Sequence, residues 1–229
     1  MITPVVDDLA WRRQFKQLPA WRPPLTDTLV IAPHPDDETL GAGGLIASLR
    51  AQGINVTVAA VTDGENAYSD GIDLRQTREL EQNQALARLG VATDSIHRFR
   101  LIDSSVTSDE EKLIQLLTPL ISGTTHVIAP WQHDFHPDHE ACGRAAAKVA
   151  ALKGAALTSY FFWTWHRGTV ELLQGLPLVC FPLTEAEQHA KHQALLCHRS
   201  QLEHASGEPI LPRYLLGPVS WPFEVYLPS

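Results

Sequence analysis

The sequence predicts an α/β fold, a Rossmann-like three-layer sandwich in which helices cover both faces of a mostly parallel sheet. Three observations carry this expectation. The runs TLVIA at 28–32 and NVTVAAVTDG at 55–64 have the unbroken β-branched and apolar character of strands covered on both faces. Each is followed by a helix-period segment that stops at a glycine. The alternation then continues through two further strands, and alternating strands and helices imply parallel pairing with right-handed crossovers.

Taken in order, residues 38–52 (ETLGAGGLIASLRAQ) read as the first helix, stopped by Gly53, and 73–90 (DLRQTRELEQNQALARLG) as an amphipathic second one, stopped by Gly90. IHRFRL at 96–101 is a third strand, after which Ser108 and Glu111 offer a capping box for a helix over about 109–121. THVIAP at 125–130 is the fourth strand. A loop rich in His and Asp leads from it into the helix 139–153, ended by Gly154. Beyond that point LTSYFFW and LVCFPL are apolar enough for strands, and Thr184 with Glu187 fits a capping box opening a helix through about Cys197. Glycines 41, 43 and 44 cost stability inside the first helix, so close packing of that helix on the sheet is expected. A phosphate cradle is the rival, but the pattern is not GxGxxG and three neighbouring acids would repel phosphate.

A chain of 229 residues fits one domain, read here as residues 1–229 with an N-terminal arm over 1–27 and a substrate-specifying carboxyl third over 155–229. With 44% apolar and 19% charged residues it has the composition of a soluble enzyme rather than a disordered chain. The net charge of -8 and the lack of a basic run disfavour a nucleic-acid partner. The N-terminus, MITPVVDDLAWRRQF, lacks the apolar core of a signal peptide, and no run approaches the ~20 apolar residues of a membrane span, so a cytoplasmic location without a transmembrane segment is expected. Cys142, Cys180 and Cys197 form no CxxC pair and read as free thiols and small apolar filler.

Chemistry concentrates in two segments, HPDDE at 34–38 and HDFHPDH at 133–139, each attached to the end of a predicted strand. In such sheets the loops leaving the carboxyl ends of strands line the ligand crevice, so the two can converge across about a hundred residues of chain. His34, Asp37 and His139 would then supply two imidazoles and a carboxylate, the donor set of a catalytic zinc with a position open to water. Asp36 adjoins Asp37 but faces elsewhere, leaving it free as a general base. Hydrolysis of an amide also needs an oxyanion partner and a proton donor, for which His136 is the candidate. A hydrogen bond from its ring to Asp138 would fix its tautomer and raise its pKa. The plain alternative is that Asp36 or Asp37 merely caps the following helix, which is harder to sustain for two such motifs than for one.

Other residues are less decisive. Arg78 could bind a substrate oxygen or pair with Glu81 one turn later. His133 reads as a solvated loop histidine, Asp63 and Glu65 as members of a turn around Gly64, and Trp163 and Trp165 as core residues or a sugar-stacking surface.

PHPDDE at 33–38 and HPDH at 136–139, with TDGE at 62–65, the RELE-to-LG helix at 78–90 and HRSQ at 198–201, resemble the LmbE-like, or PIG-L, family of zinc-dependent N-acetylglucosaminide deacetylases. The resemblance covers roughly residues 28–150. It implies zinc (Zn2+, with Fe2+ as a substitute) on His34, Asp37 and His139, Asp36 as general base, His136 as acid partner tuned by Asp138, and Arg78 as a substrate contact. The implied partner is a small amino sugar joined to a variable aglycone. Hydrolysis of another N-acyl substrate, a non-catalytic sugar-binding role, and the facial triad of a non-haem iron oxygenase, which two His and one carboxylate also build, are the competing readings.

Overall fold

The computed structural model describes residues 3–15, 17–68, 71–204 and 207–229. Residues 1, 2 and 16 of the expected arm and 205–206 of the carboxyl third lie outside the described residues. In chain order the elements are α1 (Asp8–Phe15), β1 (Thr28–Ala32), α2 (Asp37–Ala51), β2 (Val56–Thr62), α3 (Arg75–Arg88), β3 (Ile96–Leu101), α4 (Glu110–Leu117) and β4 (His126–Pro130). There follow α5 (Pro137–Lys153), β5 (Ala156–Tyr160), α6 (Thr164–Arg167), β6 (Val179–Pro182), α7 (Glu185–Leu195), α8 (Arg199–Leu202) and β7 (Phe223–Pro228).

Alternate residues of the apolar strands part to opposite faces, as the two-residue period of a strand requires. Val30 and Ala32 pack with Leu45, Ile46 and Leu49 of α2, Leu86 of α3 and Ala194 of α7. Leu29 and Ile31 pack with Leu113 and Leu117 of α4 and with Ala141, Ala145 and Val149 of α5. An unbroken apolar run is therefore covered on both sides, which is the predicted three-layer arrangement.

The seven strands lie in the order β3-β2-β1-β4-β5-β7-β6. β1 to β5 are parallel to one another, and β7 runs antiparallel to both its neighbours. The chain winds outward from β1 through β2 and β3, then returns to place β4 on the other side of β1. That reversal makes the β1–β4 seam the topological switch point, where such sheets bind ligands. The seam also opens: β1 pairs with β2 from Thr28 to Ala32, but with β4 only from Thr28 to Val30. The carboxyl ends of β1 and β4 part and leave room between their loops.

Several boundaries differ from expectation for identifiable reasons. The Ser108–Glu111 capping box is absent: α4 is preceded by Asp109 with no side-chain cap, and Glu111 pairs with Lys148 instead. The Thr184–Glu187 box is present, with both reciprocal bonds made. The LTSYFFW strand ends at Tyr160, because the amides of Phe162, Trp163 and Thr164 turn to a buried carboxylate, Asp134. The helix expected from 139 starts earlier, with Pro137 in its first turn and His136 as its N-cap.

Close packing accounts for the glycines of α2: a Cβ at Gly41 would overlap the Tyr160 ring, and one at Gly44 would overlap Leu183. The arm packs on its own chain. Trp11 and Phe15 of α1 join Trp165 and Trp221, with Trp11 Nε1 donating to the Trp165 carbonyl at 2.9 Å. Among the described residues no helix is long and apolar enough to cross a membrane.

Candidate metal centre and active site

The loop after β1 and the loop after β4 face each other across the open end of the seam. One nitrogen or oxygen from each of His34, Asp37 and His139 lies within 4.8 Å of the others. Asp37 Oδ2 is the hub, 3.0 Å from His34 Nδ1, 3.2 Å from His139 Nε2 and 2.9 Å from the His34 amide that donates to it. Burial opposes ionisation of Asp37, but His139 and His34 outweigh it and hold the carboxyl well below the usual carboxylate range.

Each histidine is oriented through its other nitrogen. His139 Nδ1 lies 2.9 Å from Asp134 Oδ2. Asp134 is itself fixed by the amides of Phe162, Trp163 and Thr164 and by the Thr164 hydroxyl. His34 Nε2 lies 3.3 Å from Asp138 and from Asp103. Burial disfavours the charged imidazole, yet Asp37 and Asp134 push His139 up to about 9, and Asp103, Asp138 and Asp37 hold His34 well above its usual range. With Nδ1–H donated to Asp134, His139 Nε2 is the ring atom left for a ligand. It is buried and makes no hydrogen bond, although Asp37 lies close. Three converging donors, one an unpartnered buried nitrogen, and acids that fix both tautomers fit a metal ion of the zinc or iron(II) type.

Asp36 sits beside this cluster in a backbone conformation with φ 152, outside the regions side-chain-bearing residues favour. Its carboxylate accepts from Arg78 Nη2 at 3.2 Å. Burial, helped by the neighbouring Asp37, pushes its pKa up to about 7 against the pull of Arg78. Ser104 and Phe135, on the loops around the same cluster, also have positive φ, at 65 and 58. Strain of this kind gathers where the surrounding structure over-determines a functional geometry.

Arg78 does not pair with Glu81, which accepts from the Ser200 amide and hydroxyl. Its guanidinium donates to the carbonyls of Gly64 (2.8 Å) and Pro35 (3.1 Å) as well as to Asp36. It therefore braces the cleft floor rather than standing free for substrate, with Nε alone unpartnered. Gly64, at φ 64, is required twice: for the turn, and because its missing Cβ is where the guanidinium lies.

The expected Asp138–His136 pair is not the one found. Asp138 accepts from the amides of Ser104 (2.7 Å) and Val106 (3.1 Å) and contacts His34, so its role falls to His34. The His136 ring instead accepts the Asp138 amide on Nδ1 at 3.3 Å, a helix N-cap bond. Burial, with positive charge on His34 and His139, lowers His136 to about 4 rather than raising it. One face of the ring stacks on Trp163, centroids 5.8 Å apart and planes 20° apart.

These groups floor a cleft of about 230 Å³ whose walls include Asn66, Phe162, Trp163, Arg167, Gln201 and Leu211. Trp163 thus lines the cleft, whereas Trp165 is core; His133 is exposed. Asp134 and Asp103 went unassigned in the sequence. The amides that fix Asp134 lie 28 to 30 residues further along the chain, beyond any local pattern.

Residues 29–150 match the family described as "GlcNAc-PI de-N-acetylase", PIG-L. A Bacillus cereus protein named "Probable N-acetyl-alpha-D-glucosaminyl L-malate deacetylase 2" is 30% identical over 190 residues, covering 76% of this chain and 83% of that relative. A Bacillus subtilis protein of the same name is 29% identical, covering 86% of this chain and 96% of its own. The fold is shared with the N,N'-diacetylchitobiose deacetylase of Pyrococcus horikoshii, at a TM-score of 0.62 and 23% identity over 84% of this chain and 74% of that one. With more than half of its length matched, including both loops that build the cluster, the chain belongs to the PIG-L (LmbE-like) family, whose members are metal-dependent N-deacetylases.

Proposed function

We propose that the protein is a metal-dependent hydrolase that removes the N-acetyl group from an N-acetylglucosamine-containing small molecule or glycoconjugate. The observation that carries this reading is the convergence of His34, Asp37 and His139 on the floor of a cleft that also holds Asp36 and His136. Zinc is the proposed ion on those three ligands, with iron(II) its substitute; such an ion lowers the pKa of water and polarises an acyl oxygen.

The chain's own groups do the rest. Asp36, aimed by Arg78, takes the proton of the attacking water and passes it to the nitrogen that departs as the amine. His136 holds its proton on Nε2, because Nδ1 accepts the Asp138 amide, so it presents a donor to the oxygen on which negative charge develops. Asp138 orients His34, and Asp134 orients His139. Arg78, on the cleft floor, serves the substrate by holding Asp36 in place. The molecule acts as one domain in which residues 155–229 set substrate choice. The reading keeps the cytoplasmic location and the absence of a nucleic-acid partner expected from the sequence.

Acetate release from a panel of N-acetylglucosaminides with different aglycones, by zinc-loaded protein against a chelated control, tests this. Metal-dependent release is expected. Release from other N-acyl compounds alone would move the activity to a different acyl substrate, and tight sugar binding without any release would leave a binding protein.

A further inference from the structure

Two arginines line the cleft, and they differ in charge balance. Arg78 is buried at the floor and neutralised by Asp36. Arg167 is exposed and makes no ion pair among the described residues. It is nevertheless held in place. Its Nη1 donates to the Phe135 carbonyl at 2.7 Å, and its guanidinium carbon lies 4.7 Å from the centre of the Trp163 ring. A guanidinium has five N–H donors, and a single one is used here, so an edge remains for a two-pronged acceptor.

The acids of the cleft cannot compensate this charge. Asp36 is taken by Arg78, Asp37 by His34 and His139, and Asp103 by His34 and the Asn66 amide. Negative charge is thus spent at the floor, and an ordered, uncompensated cation stands at the exposed end beside the apolar wall of Trp163 and Leu211. On the N-deacetylase reading the acetamido group belongs at the floor, which directs the rest of the sugar and its aglycone toward the mouth.

We infer that Arg167 is a specificity-determining residue that binds an oxyanion, a carboxylate or a phosphate, on the aglycone. This rests on the N-deacetylase reading for the direction in which the substrate lies. A rigid guanidinium suits either oxyanion, because both offer two oxygens to its parallel donors. The stacking on Trp163 lowers the entropy lost when the ion pair forms.

The test is calorimetric binding of three deacetylated glucosaminides, which cannot turn over, to the full chain loaded with zinc. They are a neutral methyl glycoside, a glycoside of a small hydroxy acid and a phosphate-bearing glycoside. The protein is expected to bind one anionic glycoside about tenfold or more tightly than the neutral one, the scale of a single charge-assisted hydrogen bond. Whichever anion is preferred identifies the source. Arg167→Ala should bring that ratio close to one, and Arg167→Lys should keep part of it, since charge without the fork binds less well. Arg167 is exposed, so its truncation leaves the core intact.

Three results overturn the inference: no preference in the unaltered protein, no measurable binding of any glycoside, or equal weakening of neutral and anionic ligands in Arg167→Ala. The last would make Arg167 a strut for the Phe135–His136 loop. Acetate release from the acetylated methyl glycoside is measured separately. A preserved binding ratio without release would sink the deacetylase reading and leave the anion site, and release without a ratio would do the reverse.

Discussion

Two buried ionic clusters of the molecule are finished differently. Between α2, α7 and β7, Glu224 faces Lys191 in the core. Its Oε1 accepts from Lys191 Nζ (2.7 Å) and the Gly44 amide (2.8 Å), and its Oε2 from the Leu45 amide (2.9 Å) and the Tyr226 hydroxyl (2.8 Å). Every acceptor is filled and no neighbouring residue other than glycine has a positive φ. At the switch point, by contrast, His139 Nε2 and Arg78 Nε have no partner, and Asp36, Ser104 and Phe135 are strained. A satisfied buried network locks a fold, whereas an incomplete one costs stability and persists where function demands it. Burial and charge alone do not distinguish the two; satisfaction does.

The sharpest break of this comparison is Asp36→Asn. Asparagine has the shape of aspartate and keeps an oxygen for Arg78, so the fold should hold. Acetate release should fall by about 10²–10⁴-fold, the contribution of a positioned base, with bound metal measured by elemental analysis unchanged. Turnover retained at the original rate would remove Asp36 from the mechanism.

Glu224→Ala should do the opposite. Leaving Lys191 buried and alone costs about 3–5 kcal/mol in urea unfolding, while turnover per folded molecule stays level. Replacing Lys191 by Met in the same protein should recover most of the loss. If Glu224→Ala instead abolished turnover in folded protein, the second cluster would not be purely structural.

Asp134→Asn probes the boundary between the two kinds, since Asp134 is fully satisfied yet serves His139 at the candidate metal centre. Losing its charge behind His139 should weaken metal affinity about 10–100-fold, read by competition with a chelating dye. Affinity unchanged within twofold would make Asp134 a turn-former for residues 162–164 and no more.

The α/β alternation was legible because TLVIA, VTVAAVT and HVIAP are each buried on both faces, so neighbouring residues answer to different layers without losing the pattern. The three converging donors were legible because His34 and Asp37 share one turn and His139 lies in the first turn of a helix. What orients them was not. Asp138 adjoins His139 in sequence but serves His34, 104 residues away. The last strand, β7, was missed because its meaning lies in Glu224, a charge in an apolar run that only Lys191 and α2 explain. Arg78 was read as a substrate contact or a partner of Glu81, and the room that Gly64 leaves for it to brace Asp36 and two carbonyls lies outside any local pattern.

The splayed seam between β1 and β4 also fixes when this chain acquires its reactivity. The first half of the polypeptide carries His34, Asp36, Asp37 and Arg78, which pair among themselves, but His136 and His139 join them only when β4 inserts beside β1. That pairing is among the long-range contacts whose loop closure slows folding. A nascent or half-unfolded chain therefore exposes acids and imidazoles without assembling a hydrolytic centre, and catalytic competence arrives together with the completed sheet.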